Sequence, residues 1–291
     1  MKAYRGRFAP SPTGDLHFGS LVSAVASHAA ARAADGIWLV RIEDLDPPRE
    51  VAGSADRILS QLAAYGMTSD EPVLYQSQRQ EAYAQALQDL LDRKEAFHCG
   101  CTRRDLPATG VYPGTCANGL PSGKKPRSVR LRVSQAPITF DDRAQGAMTE
   151  SLGETSGPFV IRRADSYFAY QLAVVVDDAF QGITEVVRGC DLLDSTARQI
   201  HLQRLLGLAP IHYLHHPIVL GPDGRKLSKQ WSAQAIDSSD PLPALLAAWR
   251  FLGQVEPPGN ARRTVDAFWN WAGTAWDLER LPAARELSLS A

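Results

Sequence analysis

The stretch Arg7-Phe8-Ala9-Pro10-Ser11-Pro12-Thr13-Gly14-Asp15-Leu16-His17-Phe18-Gly19-Ser20 decides how the chain is read. Gly6 to Ala9 has the pattern of a short strand, and Pro10, Pro12 and Gly14 then force a turn. An apolar-rich helix follows from about Leu16 to Ala34, and Ile37 to Ile42 is an apolar strand. Strand, glycine-containing loop, helix, strand is the order of a βαβ unit and predicts a parallel sheet. His17 and Gly19 fall where the helix opens. A helix start offers free N–H groups and the positive end of the dipole, both suited to a polyphosphate. Gly19 lets a phosphate or an adenine ring approach the backbone, and His17 can donate to phosphate oxygens. A bare H-x-G start more often marks an ordinary strand-to-helix loop, so the reading needs a second signal.

Working outward, helical periodicity recurs at about Ser54 to Tyr65, stopped by Gly66, and at about Gln78 to Arg93. From Cys99 to about Gly157 it disappears among Gly, Pro, Ser and Thr, as in an insertion between the halves of a nucleotide-binding sheet. Strand and helix signals resume at Phe159, with a helix from about Ser195 to Leu206 capped by Ser195 and ended by Gly207. Pro217 to Leu220 leads into the tight turn Gly221-Pro222-Asp223-Gly224. The remainder has the pattern of two short amphipathic helices, and five of the six tryptophans fall from Trp231 onward. The expected fold class is therefore α/β, a Rossmann-like core with a parallel sheet, an insertion and a short helical C-terminal region. Residues 1–97 and 158–231 are expected to form the catalytic domain, 98–157 the insertion and 232–291 the helical region.

The second signal is Lys226-Leu227-Ser228-Lys229, just after that turn. Only six of the chain's 31 cations are lysine, so two of them three positions apart stand out. On a loop they can swing onto a triphosphate and neutralise charge developing at phosphorus.

Composition narrows the rest. In 291 residues, 44% are hydrophobic and 31 basic residues face 32 acidic ones, which excludes a disordered or fibrous chain. The longest aliphatic run, Leu172 to Val176, is far short of the ~20 residues that span a bilayer. Met1 to Phe8 lacks an apolar signal region, so a cytoplasmic protein without membrane association is expected. A net charge of −1 leaves nucleic-acid contact to local patches, of which Lys124, Lys125, Arg127, Arg130 and Arg132 form one. A solvated basic strand explains that run equally well. Three of the four cysteines, Cys99, Cys101 and Cys116, crowd into eighteen positions, a spacing for metal ligation rather than crosslinking. Zinc favours thiolates and four tetrahedral ligands. On spacing, His98 or Tyr112 can supply the fourth, and metal preference alone favours histidine.

The helix-opening His17-Phe18-Gly19-Ser20 and the distal Lys226-Leu227-Ser228-Lys229-Gln230 resemble the HIGH and KMSKS signatures of class I aminoacyl-tRNA synthetases. Arg7 to Gly14, Arg41 to Pro47, Leu172 to Asp178 and Val187 to Leu193 resemble the glutamyl-tRNA synthetase group, and the likeness covers about residues 4 to 230. One departure is Ser20, where many class I enzymes keep a second histidine. Only 62 residues follow Lys229, with five basic and seven acidic residues after it, an expectation against anticodon-reading domains. In this the chain resembles the short members of the group that glutamylate queuosine in the anticodon of tRNA(Asp).

The resemblance implies an ATP-dependent ligase that turns L-glutamate and ATP, carried with Mg²⁺, into glutamyl-adenylate before transfer to tRNA(Asp). It implies His17, Lys226 and Lys229 as catalytic residues, with Thr13, His17, Gly19 and Lys229 on ATP. It implies Arg7, Phe8, Ala9, Pro10, Ser11, Glu43, Tyr170 and Arg188 around glutamate. It also implies one structural Zn²⁺ held by Cys99, Cys101, Tyr112 and Cys116, in a monomer. The competing readings are a truncated synthetase that charges a tRNA 3′ end and a non-catalytic RNA-binding paralogue.

Overall fold

In the computed structural model, which describes residues 3–221 and 235–289, the chain opens with β1 (Arg5–Phe8), α1 (Phe18–Ala33) and β2 (Ile37–Ile42). There follow α2 (Ser54–Ala64), β3 (Leu74–Tyr75), α3 (Gln80–Asp92), β4 (Ala96–Cys99), β5 (Ser128–Leu131), β6 (Ile138–Asp142) and β7 (Gly146–Glu150). Next come α4 (Leu152–Thr155), β8 (Phe159–Arg162), α5 (Tyr170–Phe180), β9 (Glu185–Gly189), α6 (Thr196–Leu205), β10 (His212–His216) and β11 (Ile218–Leu220). The remaining elements are α7 (Pro241–Phe251), α8 (Val265–Ala275) and β12 (Glu286–Ser288). Among the described residues no helix is long and apolar enough to cross a membrane.

β1, β2 and β3 form a parallel sheet, with Arg5 opposite Ile37 and Phe8 opposite Val40. β9 and β10 pair in parallel from Glu185↔His212 to Gly189↔His216, and the β6–β7 hairpin joins them through Asp142↔Tyr213. The two groups abut at β1 and β9, where Thr184 N–H donates to the Arg5 carbonyl at 3.0 Å. Trp38, Leu39, Val40, Arg41 and Ile42 are each at most 1% exposed. Such an unbroken buried run belongs to a parallel strand covered on both faces. On one face α1 buries Leu21, Val22, Val25 and five alanines in a core shared with Trp249, Phe268 and Ala272 of α7 and α8. A second core gathers α3, α5 and α6 through Tyr83, Leu87, Leu172, Val174 and Leu202.

α1 starts two residues later than its apolar pattern predicts. Leu16 N–H is taken by the Gln61 side chain at 2.8 Å, and His17 caps the helix instead. The two C-terminal helices are present, and Trp269 Nε1 donates to the Tyr65 carbonyl at 2.8 Å, fastening α8 to the end of α2. Trp231 lies outside the described residues. β12 was absent from the sequence expectation: three residues give too little pattern, and only pairing with β11 defines the strand.

β4, β5 and β8 make a separate antiparallel sheet. The sequence division at 98 and 157 cuts through its first strand and just before its last, while β6 and β7 lie with the parallel strands.

Asp177 on α5 holds the segment leading into α3. Its fully buried carboxylate accepts from Gln76 Nε2 (2.9 Å), Arg79 Nε (3.1 Å) and the Tyr83 hydroxyl (2.6 Å). Asp177→Ala leaves those donors unpaired and is expected to cost about 3–5 kcal/mol in urea unfolding, by the penalty for breaking a buried pair. An unchanged unfolding midpoint contradicts this.

Candidate active site and metal centre

Two adjoining cavities open at the C-terminal ends of β1, β9 and β10, the end of a parallel sheet where ligands bind. One, of about 680 Å³, is lined by Pro10, Thr13, His17, Gly19 and His216. The other, of about 540 Å³, is lined by Arg7, Glu43, Tyr170 and Arg188. Phe8, Ala9, Ser11 and Asp191 border both. The structure thus brings the residues expected around glutamate and ATP to one continuous site. Lys226 and Lys229 lie outside the described residues.

The loop between β1 and α1 is pinned on both sides. Glu43 N–H donates to the Pro10 carbonyl and Val51 N–H to that of Pro12, each at 2.9 Å. Ser20 N–H donates to His17 Nδ1 at 3.2 Å, so the neutral ring carries its proton on Nε2. Nε2 lies 3.2 Å from Ser20 Oγ. The serine that departs from the HIGH pattern therefore helps to orient the first histidine.

Beneath the charged cavity lies a buried ionic group. Asp178 Oδ1 accepts from Arg7 Nε at 3.1 Å and from Arg41 Nη1 at 2.7 Å, and Arg41 Nη2 reaches Glu43 Oε1 at 3.3 Å. Burial opposes ionisation of Asp178, but Arg7 and Arg41 hold it below the usual carboxylate range. Glu43 is pushed above that range, because burial outweighs the pull of Arg41 and Arg7. Sequence reasoning gave Arg41 and Asp178 no role. Both lie in the strings that resemble the family, and Arg41 carries a further signal as a cation inside the otherwise apolar strand Ile37 to Ile42.

Arg188 is different. Only 4% exposed, it donates to His215 Nε2 (3.0 Å), the Tyr170 hydroxyl (3.5 Å), Gln199 Oε1 (2.8 Å) and Thr196 Oγ1 (2.9 Å). All four partners are neutral groups, and among the described residues it forms no ion pair. A guanidinium so placed keeps its positive charge uncompensated and is chemically suited to bind a carboxylate.

The candidate metal centre lies in the antiparallel sheet and its loop. The sulfurs of Cys99, Cys101 and Cys116 fall within 4.8 Å of one another and can hold a metal ion. The Tyr112 hydroxyl sits among them, 3.3 Å from Cys99 Sγ and 3.7 Å from Cys101 Sγ, and accepts the Cys116 N–H at 2.9 Å. Burial resists ionisation of Cys99, but hydrogen bonds from Tyr112 and the Cys101 amide bring it down to about 7. His98, the alternative that spacing left open, is exposed, on the other side of β4 from buried Cys99, because side chains alternate along a strand.

The basic run expected to contact RNA is divided. Arg130 lies 3.9 Å over the Tyr112 ring and donates to the Pro158 carbonyl. Arg132 lies over Phe97 and donates to the Lys94 carbonyl, and Lys124 pairs with Asp105. Lys125 and Arg127 remain exposed.

Gly157 closes this loop. At φ +60° its Cα faces Tyr112 so closely that a Cβ would stand 2.2 Å from the Tyr112 carbonyl oxygen. Gly157→Ala is expected to displace Tyr112 and to speed the reaction of Cys99 and Cys116 with a disulfide reagent. An unaltered rate means that the cluster does not depend on this contact.

A helix-start pocket beside a cationic pocket, on a parallel sheet, defines a class of protein: the chain matches tRNA synthetases class I (E and Q), catalytic domain, over residues 3–109 and 117–253. It is 54% identical over 286 residues to the glutamyl-Q tRNA(Asp) synthetase of Burkholderia cenocepacia, covering 94% of this chain and 96% of that one. The glutamyl-Q tRNA(Asp) synthetase of Xanthomonas campestris pv. campestris is likewise 54% identical, with 98% and 95% covered. The glutamate tRNA ligase of Elizabethkingia meningosepticum, solved with its amino acid, shares the fold at a TM-score of 0.81 and 23% identity, over 100% of this chain and 68% of that one. The chain belongs to the class I synthetase family for E and Q and, within it, to the glutamyl-Q tRNA(Asp) synthetases.

Proposed function

We propose that the chain activates L-glutamate with ATP and transfers the glutamyl group to queuosine in the anticodon of tRNA(Asp). The observation that carries the activation step is Arg188, a buried guanidinium whose partners among the described residues are all neutral, facing a cavity that adjoins a helix-start pocket. The relatives supply the acceptor. Arg7 and Arg188 receive the two carboxylates of glutamate, Glu43 and Ser11 face its ammonium and α-carboxylate, and Tyr170 contacts its side chain. Phe8, Ala9 and Pro10 shape the wall between the pockets. ATP enters with Mg²⁺ over Thr13 and Gly19.

An oxygen of the glutamate α-carboxylate attacks the α-phosphorus, and pyrophosphate leaves with the electron pair of the broken P–O bond. His17, Lys226 and Lys229 stabilise the charge that builds up on the phosphate oxygens. A hydroxyl of the queuosine cyclopentene ring then attacks the acyl carbon, forming an ester and releasing AMP. Cys99, Cys101, Cys116 and Tyr112 fit Zn²⁺, whose bound form would cross-link β4 to the loop that follows it.

The test is ATP–pyrophosphate exchange with glutamate and no tRNA, followed by transfer of labelled glutamate to tRNA(Asp) with and without queuosine. Exchange without tRNA and transfer only to the queuosine-containing RNA are expected. Exchange that strictly requires tRNA, or label at the 3′ end, supports a conventional synthetase instead. Lys229→Ala should slow exchange about 100-fold or more, as removal of a transition-state donor does; a near-normal rate removes this lysine from the mechanism. Elemental analysis should find one zinc per chain, and its absence refutes the metal assignment.

A further inference from the structure

What holds Arg188 comes from outside the pocket. His215 stands opposite Arg188 in the register of β9 and β10, with its Nε2 3.0 Å from Arg188 Nε. The guanidinium N–H must donate, so Nε2 is the nitrogen that bears the lone pair. The neutral ring then carries its proton on Nδ1, which lies 2.5 Å from Asp142 Oδ2. Both side chains are fully buried. Asp142 is itself fixed: Oδ1 accepts the N–H groups of Ala144 (3.1 Å), Gln145 (2.9 Å) and His215 (3.2 Å). Thr196 Oγ1, another partner of Arg188, lies 3.3 Å from His215 Nε2. Burial and the charge of Arg188 oppose protonation of the ring, against the pull of Asp142, and the balance lies toward the neutral form.

We infer that Asp142 and His215 are positioning residues for Arg188: Asp142 selects the His215 tautomer that accepts from the guanidinium, orienting it without neutralising it. The inference rests on the reading that Arg188 receives a glutamate carboxylate. A carboxylate in the place of His215 would aim the guanidinium equally well but compete with the substrate for its charge. An imidazole without Asp142 would be free to turn an N–H toward another N–H donor. Interposing the ring keeps the anion one group away, and the arginine stays directed and electrically unsatisfied.

The experiment is pyrophosphate exchange by the full chain, with the KM for glutamate, the KM for ATP and kcat measured for His215→Leu, His215→Gln and Asp142→Asn, beside thermal unfolding of each. His215→Leu should raise the KM for glutamate about tenfold or more, the size of a lost hydrogen bond to a charged group, while the KM for ATP stays near that of the natural chain. Gln presents an amide oxygen where Nε2 was, so His215→Gln should recover most of the loss. Asp142→Asn, which frees the tautomer, should raise the KM for glutamate in the same sense. Should His215→Leu fail to fold, the other two variants decide. An unchanged KM for glutamate in folded Asp142→Asn, or His215→Gln as impaired as His215→Leu, overturns the inference. A natural chain without glutamate-dependent exchange overturns the proposed reaction instead, so the two failures are distinct.

Discussion

Asp178 carries two guanidinium groups on one buried carboxylate oxygen, Arg7 from β1 and Arg41 from β2. An ion in a protein interior is tolerated only when its opposite charge and hydrogen bonds are in place. The acid on α5 therefore fixes the relation of that helix to two neighbouring strands. From this junction the pocket is set out: Glu43 follows Arg41 by two residues, and Tyr170 starts the helix that Asp178 nearly ends.

The two arginines expected to meet the substrate are held by different means. Arg7 shares an internal anion, so its charge is partly spent before any ligand arrives. Arg188 has only neutral partners among the described residues. In the proposed reaction a ligand carboxylate entering this cavity gives Arg188 the counter-charge that its described partners do not supply, and an apolar or cationic ligand does not. On the proposed reaction, selectivity for acids is thus a property of what the described residues leave unpaired.

Much of the architecture was legible in the sequence because its strongest patterns are local. β2 was read to the residue, and α1, α2 and α6 to within two residues, since their apolar periodicity and their stops lie within each segment, whereas the two C-terminal helices were read in number and without bounds. The residues expected around glutamate and ATP could be located because they sit within motifs, and the fold brings the described ones to one site. What could not be read depends on tertiary neighbours. Asp142 and His215 are distant in sequence from each other and from the helix that carries Thr196 and Gln199, and the four meet only where β6, β9, β10 and α6 converge. Arg130 and Arg132 looked like surface cations, yet their planar heads lie on aromatic rings, a use of arginine that charge counting does not see. That His98 points away from the three thiols while the Tyr112 hydroxyl lies among them depends on the alternation of one short strand and on a loop fold that spacing alone does not give.

α1 opens under the phosphate-type pocket, and α7 and α8 share the core on its far side, where His28 meets the Trp269 ring edge-on at 4.3 Å. A dipole stabilises charge at least cost when it need not move to do so. Packed between the sheet and the tryptophan-rich helices, α1 is a preorganised electrostatic element. In the proposed reaction the C-terminal helices, which line neither cavity, thereby act as a mechanical backstop, giving the helix start a constant position against which the triphosphate is drawn.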